Sequence, residues 1–383
     1  MDAPSILIFV SAYLPGYKGG GPIQSIANLI DRLGGEFNFR IVAADRDLGD
    51  ALPYPGVRPL VWHQIGKAQV MYLRPNQRGF SSIARILRET PHDLLYLNSF
   101  FDPHFSSIPL LAQYLGVSPR KRVLLAPRGE FSEGALRLRA AKKRLFMAVT
   151  RTIGLHRDLI WQATALPEVE DISRVIRGAD VRLIPNLPRP KQDIERVARA
   201  PGLPLRIVFL SRISPKKNLL FALNVLERVR TPVDFTIYGP HEDATYWDRC
   251  AAVIDALPSH VRVNDAGPLE PTQVAHALAA HDLFFLPTLG ENYGHVIAEA
   301  LEAGLRLLLS DQTPWRGLEG EGVGYDLPLS DPAAFVAAIE AEAAIMQTVG
   351  IAERLAKYRE RMLRIDMAVE SNRQLFSEAA VAV

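Results

Sequence analysis

Two glutamates, Glu291 and Glu299, stand with seven residues between them in the stretch "LPTLGENYGHVIAEALEAG" that begins at Leu286. The apolar run Leu283–Leu286 reads as a buried strand, and Gly294 to Ala303 as the helix after it. Backbone amides near Asn292, Tyr293 and Gly294, at a helix start, have no intrahelical partner and can bind phosphate or sugar oxygens. A carboxylate repels phosphate, so Glu291 and Glu299 are expected to accept hydrogen bonds from sugar hydroxyls beside one. Over eight residues an ideal helix turns about 80° out of alignment, which spreads the two glutamates over two subsites. One Glu near a helix start could simply serve the helix dipole. The cations elsewhere in the chain argue for more.

"SRISPKKNLLFAL" follows a strand expected at 206–211. Arg212 falls in the loop and Lys217 in the first helical turn, either side of Pro215. A cation there opposes the helix dipole, so Lys216 and Lys217 are misplaced for stability alone, whereas a diphosphate would require them. A third group, Gly19, Gly20 and Gly21, precedes a helix starting near Pro22. Those glycines allow backbone amides to approach a phosphate, and equally allow a tight turn with positive φ. The cluster is neither a G-x-G-x-x-G fingerprint with its acidic clamp nor a P-loop.

Metal chemistry is not expected. Asp45-Arg46-Asp47 spells D-x-D, but no other carboxylates or histidines cluster with it, so it reads as a solvated loop. The nine histidines show no zinc-binding spacing.

The elements that must carry these groups are legible as alternating apolar strands and amphipathic helices. Strands are expected at 5–12, 39–45, 94–98, 122–127 and 181–185, then at 206–211, 234–239, 261–265, 283–287 and 306–310. Continuous apolar strands separated by helical patterns such as Pro22–Leu33 and Asn218–Val229 imply parallel sheets covered on both faces. Each half therefore reads as a doubly wound α/β domain whose ligands sit beyond the carboxyl ends of its strands. The Pro- and charge-rich stretch 191–204 reads as a linker between a domain at 1–190 and one at 205–352. The remainder, 353–383, holds a long helical pattern from Glu353 to Ala380 that is expected to pack back on the first domain.

At 383 residues the chain has room for two cores. Its net charge of +2 conceals an asymmetry: residues 1–200 carry 28 Lys and Arg against 18 Asp and Glu, a net +10, and residues 201–383 carry 16 against 24, a net −8. A basic first half suggests an anionic partner. A single cysteine, Cys250, excludes a disulfide framework and a multi-thiolate metal site, and reads as a small core residue. No apolar run reaches the ~20 residues of a membrane helix, and the first residues do not read as a secretion signal. A cytoplasmic location is expected.

"FLSRISPKKNL", followed by "PTLGENYGHVIAEALEAG", resembles the C-terminal signature of the family 4 retaining glycosyltransferases of GT-B fold, whose E-x7-E spacing Glu291 and Glu299 reproduce. "YLPGYKGGGPIQSIANL" looks like that family's N-terminal glycine loop. "APRGEFSEGALRLRAAKKRLF" and "SDQTPW" are similar to a bacterial subgroup that assembles polysaccharides and lipid-linked glycans. The resemblance covers nearly the whole chain. It implies two doubly wound, Rossmann-like domains facing across a cleft, and a UDP- or GDP-sugar as donor.

On that resemblance Arg212 and Lys217 would hold the donor diphosphate, and Glu299 the ribose hydroxyls. Glu291 and the Asn292–Gly294 amides would hold the transferred sugar. Gly20, with Gly21 beside it, would approach the phosphate from the other domain. The reaction would need no dedicated base, no metal and no other cofactor, because a donor phosphate oxygen takes the acceptor's proton. The chain departs from the family in two places. The usual E-G-F-G reads Glu291-Asn292-Tyr293-Gly294, and a first-domain histidine is replaced by Asn98, with His104, Arg128 and Glu130 as stand-ins on the acceptor side.

Arg137, Arg139, Lys142, Lys143 and Arg144 crowd one helical pattern that also carries Leu136, Leu138, Leu145 and Phe146. Such a face suits an anionic membrane surface or a lipid diphosphate acceptor, or is an ordinary charged helix face. No nucleic-acid partner is expected. Two other functions fit the same residues: a sugar-nucleotide epimerase, which would turn over donor without acceptor, and a non-catalytic nucleotide-sugar binding protein. A NAD oxidoreductase lacks its fingerprint.

Overall fold

The structure is a computed structural model, and it describes residues 3–137, 140–189, 202–346 and 351–381. The chain divides into two compact units, Met1–Pro190 with Asp366–Val383, and Lys191–Ile365. Most of the linker expected at 191–204 lies outside the described residues.

The first unit opens with β1 (Ser5–Phe9), α1 (Gly21–Leu33), β2 (Asn38–Ala44) and a hairpin, β3 (Trp62–Ile65) and β4 (Ala68–Leu73). It continues through α2 (Phe80–Glu89), β5 (Leu94–Asn98), α3 (Ile108–Tyr114), β6 (Arg122–Ala126), α4 (Glu133–Arg137) and α5 (Ala140–Thr152). β7 (Leu159–Ala163), α6 (Leu166–Val175) and β8 (Asp180–Leu183) complete its sheet. The strand order is β3-β4-β2-β1-β5-β6-β7-β8, parallel throughout except for the β3–β4 hairpin. β1 is apolar along its length because both faces are covered. Ile6 and Ile8 join the core under α1, while Leu7 and Phe9 join the core under α2 and α3.

The second unit carries β9 (Leu205–Leu210), α7 (Leu219–Leu226), β10 (Val233–Tyr238), α8 (Ala244–Asp255), β11 (Val261–Gly267) and α9 (Val274–Ala279). Then come β12 (Leu283–Leu286), α10 (His295–Glu302), β13 (Arg306–Ser310), β14 (Gly324–Leu327), α11 (Pro332–Met346) and the start of α12 (Ile351–Val381). Its sheet is wholly parallel in the order β11-β10-β9-β12-β13-β14. Cys250 is a buried core residue on α8.

In each sheet the chain starts in the middle and winds outward both ways. The order of connection reverses between β1 and β5 in the first unit, and between β9 and β12 in the second. In doubly wound sheets the loops leaving the carboxyl ends of such strands part there, which is where ligands of this architecture bind.

Every strand read from the sequence is present. The sequence pattern does not mark β3, β4, β7 or β14. β7 hides because Gln162 interrupts its apolar run, yet Gln162 is buried, accepting from the Tyr96 hydroxyl at 2.6 Å and donating to the Ile184 carbonyl at 3.2 Å. β14 opens on Gly324 and carries Asp326, poor strand formers held by pairing with β13.

The tail forms α12, whose last turns belong to the first unit. Leu375, Phe376 and Ala379 are buried in the core beneath α1. The Phe376 ring lies 6.0 Å from Phe37, 6.2 Å from Phe39 and 5.4 Å from Tyr96, centroid to centroid.

Candidate functional site

The loops after β9 and β12, which flank the point of reversal in the second unit, are stitched together by their backbones. Leu289 N–H donates to the Lys216 carbonyl at 2.8 Å, and the Asn218 amide donates to the Pro287 carbonyl at 3.0 Å. This brings Lys217 against Glu291, and the Lys217 ammonium pairs with Glu291 Oε1. Both side chains are largely buried, at 14% and 12% exposure. A third loop, after β13, supports them. Glu291 N–H donates to the Gln312 carbonyl at 3.1 Å, and the Trp315 indole donates to the Tyr293 carbonyl at 2.5 Å.

Two details correct the sequence reading. Lys216 and Lys217 occupy a separate 3-10 turn, Pro215–Lys217, and Asn218 (φ 62°) turns the chain before α7 begins. The two lysines are therefore not in the first turn of α7 and its dipole does not make them misplaced; Lys217 is instead set by the loop geometry that aims it at Glu291. Glu291 lies in the loop before α10 rather than on the helix, so helical rotation does not set its direction relative to Glu299. Gly294, at φ 78°, caps α10, where a β-carbon would come 2.6 Å from the Ile297 side chain. Glu299 is half-buried one turn into α10.

Arg212 stands at the rim, pairing with Glu242 at 2.6 Å, both side chains nearly half exposed. Glu242 comes from the loop after β10, which passes so near the loop after β9 that a β-carbon on Gly239 would lie 1.9 Å from the Ser211 carbonyl oxygen. On the same loop, His241 stacks on Trp247 with ring centroids 3.8 Å apart and pairs with Asp265 at 3.1 Å. The sequence reading missed Glu242, His241, Trp247 and Gln312. Gly239 directly after a strand was the available signal, since it marks a close backbone approach.

In the first unit, Gly20 takes φ 63° at the start of α1, and a β-carbon at Gly20 or Gly21 would meet nothing within 4 Å. The loop before them is held by Asp47. Its carboxylate accepts from the amides of Tyr17 (2.7 Å), Lys18 (3.0 Å) and Leu48 (2.8 Å). Asp45 pairs with Arg46 at 2.9 Å and with Arg78 at 3.5 Å. The D-x-D sequence is thus buried and occupied in fastening the loop, not solvated. Among the described residues no group of three or more His, Cys, Asp or Glu side chains could hold a metal ion.

Asn98 and Arg128 meet at the ends of β5 and β6. Arg128 Nε and Nη2 donate to Asn98 Oδ1 at 3.0 and 2.7 Å. Glu130 points elsewhere, accepting from the Ser99 hydroxyl (2.6 Å) and the amides of Phe100 (2.6 Å) and Phe101 (3.2 Å). Burial pushes its carboxyl above the usual range, against the pull of those bonds and of Lys143. It is a tie between loops. His104 is exposed, its ring bonded to the Arg78 carbonyl at 2.9 Å rather than to Asn98 or Arg128.

The basic patch divides. Arg137 lies on α4, paired with Glu133 at 3.5 Å, whereas Lys142, Lys143 and Arg144 lie on α5. Leu138 and Arg139 fall outside the described residues. Lys143 turns inward, donating to the Ala135 carbonyl at 2.7 Å with its ammonium 4.8 Å above the Phe101 ring. Phe146 also turns inward, towards Phe100 and Phe101. Lys142, Arg144 and Arg151 are exposed beside an apolar stripe of Leu145, Val149 and Ile153.

Residues 204–343 match the family described as "Glycosyl transferases group 1". The chain is 31% identical over 185 residues to a phosphatidyl-myo-inositol mannosyltransferase of Mycobacterium tuberculosis (strain CDC 1551 / Oshkosh), which is 45% of this chain and 43% of that protein. The match thus spans less than half the length of that relative. Among solved structures, the sucrose-phosphate synthase (tll1590) from Thermosynechococcus elongatus superposes with a TM-score of 0.68 at 16% identity, over 98% of this chain and 99% of the other. Anabaena Alr3699/HepE, in complex with UDP and glucose, does so with a TM-score of 0.64 at 14% identity, over 99% and 100%. The fold, two Rossmann-like sheets, is that of GT-B proteins.

Proposed function

We propose that this chain, residues 204–343 of which match the group 1 glycosyltransferase family, is a retaining glycosyltransferase that moves a hexose from a UDP- or GDP-sugar. The observation that carries the reading is the Lys217–Glu291 pair, placed by three loops at the reversal point of the second sheet. An ammonium suited to a diphosphate and a carboxylate suited to sugar hydroxyls are held side by side there, largely shielded from water.

In the proposed reaction the donor diphosphate takes over Lys217 from Glu291 and recruits Arg212 from Glu242. Glu291 then accepts from hydroxyls of the transferred sugar, together with the amides of Asn292, Tyr293 and Gly294, and Glu299 accepts from the ribose. The bond from the anomeric carbon to the phosphate oxygen breaks, and a bond to the acceptor oxygen forms on the same face. The acceptor's proton passes to an oxygen of the departing nucleoside diphosphate, whose charge Lys217 and Arg212 stabilise. No metal enters, because the two cations supply that neutralisation. The acceptor is a glycan or a lipid-linked glycan of a bacterial surface polysaccharide.

The exposed α5 stripe, flanked by Lys142, Arg144 and Arg151, supports association with an anionic membrane surface from the cytoplasmic side. Among the described residues no helix is long and apolar enough to cross a membrane.

The test is thermal unfolding with UDP, GDP, ADP and NAD, with and without EDTA, for the wild type and Glu299→Ala. A nucleotide at 100 times its dissociation constant stabilises the fold by about 2.7 kcal/mol. One nucleoside diphosphate is expected to raise Tm, less so in the variant and equally with EDTA. A response to NAD alone, or to none of the four, rules the reading out. Sugar transfer to an acceptor then separates this function from an epimerase, which converts donor unaided, and from a binding protein, which forms no product.

A further inference from the structure

In the first unit Arg128 carries a charge with no counter-charge. Its guanidinium is half-buried and bonds only neutral oxygens: Asn98 Oδ1 at 3.0 and 2.7 Å, the Tyr96 hydroxyl at 2.7 Å, and Asn186 Oδ1. Among the described residues no carboxylate pairs with it. Two carboxylates tied to the adjoining loops are engaged elsewhere. Glu130 serves Ser99, Phe100 and Phe101, and Glu168 accepts from Gly129 N–H at 2.6 Å and from Thr164. Desolvating a guanidinium without an anion is costly, so a stability role alone would favour a neutral residue here.

Three further observations point to a ligand. Arg128 follows β6 directly after Pro127, next to the end of β5, among the carboxyl ends where doubly wound sheets bind. The backbone is strained on both sides of this point, with positive φ at Ser99 (98°) and at Arg128 (55°), a cost that binding sites commonly bear. Asn98 spends its carbonyl oxygen on Arg128 and leaves its buried Nδ2 with no partner. A donor amide without an acceptor and a cation without an anion therefore share one corner.

We propose that Arg128 and Asn98 seat an anionic phosphoryl group, so that the ligand of the first unit is a phosphate ester. Naming that ligand the acceptor rests on the glycosyltransferase reading; the anion site does not. The fork of Arg128 is fixed by Asn98, Tyr96 and Asn186, which leaves one Nη1 hydrogen and the whole charge for the phosphoryl oxygens. The same chemistry would arise from a sugar phosphate in solution or from a lipid phosphate.

The experiment uses the full-length Arg212→Ala/Lys217→Ala variant, which removes the donor-side cations, with inorganic phosphate as the probe of thermal unfolding. Phosphate is expected to raise Tm, and adding Arg128→Gln to weaken its binding by about tenfold or more. Arg128→Lys, which keeps the charge and loses the fork, is expected to fall between and covers the case in which the glutamine variant does not fold. No stabilisation of the Arg212→Ala/Lys217→Ala variant, or equal stabilisation with and without Arg128, overturns the proposal. A soluble hexose monophosphate and a short-chain phosphatidic acid below its micellar concentration form the two arms that separate the sources, the tighter binder naming the ligand. Since this measurement needs no nucleotide and no turnover, its failure leaves the donor-site test standing, and the converse holds.

Discussion

At the scale of single residues, the cations of the candidate site are paired with carboxylates. Lys217 is held by Glu291 and Arg212 by Glu242, so each cation proposed to bind phosphate has a carboxylate partner. The two pairs differ in burial and so in energy. The exposed Arg212–Glu242 pair is screened and contributes little. The largely buried Lys217–Glu291 pair cannot lose one member without stranding the other. Lys217→Ala is therefore expected to abolish nucleoside diphosphate binding and to cost about 1–3 kcal/mol of stability, read by chemical denaturation. Glu291→Gln is expected to keep nucleoside diphosphate affinity while slowing transfer by about a hundredfold or more, because the proposed reaction sets Glu291 against the sugar and not the phosphate. Equal loss of nucleotide affinity in both variants would contradict that division of labour.

At the scale of elements, the loops that carry chemistry are positioned by one another rather than by their own helices. The turn that bears Lys217 is fixed by the loop after β12, which is fixed in turn by Gln312 and Trp315 after β13. Side-chain ties do the same work in the first unit, where Asp47 anchors the glycine loop and Glu130 anchors the loop after β5. The last turns of α12 supply a wall of the first unit's core. Phe376 is fully buried among Phe37, Phe39 and Tyr96. Phe376→Ala is expected to cost about 3–5 kcal/mol, measured by denaturant unfolding. A cost below about 1 kcal/mol, the range of surface changes, would mean that the helix end does not belong to that core.

At the scale of the whole molecule, the proposed membrane association rests on charge and on one exposed face: residues 1–200 carry the net positive charge, and the apolar stripe on α5 stands exposed within them. Co-sedimentation with vesicles is expected to require anionic lipid, to fall as salt rises, and to weaken in Lys142→Glu/Arg144→Glu. Equal binding to neutral phosphatidylcholine vesicles would remove the electrostatic basis for membrane association.

What the sequence determined by itself is whatever depends on short-range pattern. Continuous apolar runs such as "SILIF" and "LFFL" declare buried parallel strands, because each residue of such a strand meets a covered face. Glycine and charge placed just after those runs mark the loops that leave the strands' carboxyl ends. The tertiary structure decided everything that depends on partners distant in the chain. Lys217 and Glu291 are 74 positions apart, and Arg128 and Asn186 are 58 apart, so no local spacing reveals that one cation is paired with a carboxylate and the other is not. Lys143 turns inward although its neighbours in sequence face water, because only the folded chain brings the Phe101 ring beneath it. β7 and β14 exist because neighbouring strands satisfy a buried glutamine and pair a glycine-led segment. Pattern fixes the continuously apolar strands and the helices between them, whereas burial and pairing, which belong to the assembled core, fix the remaining strands and what each charged group is free to do.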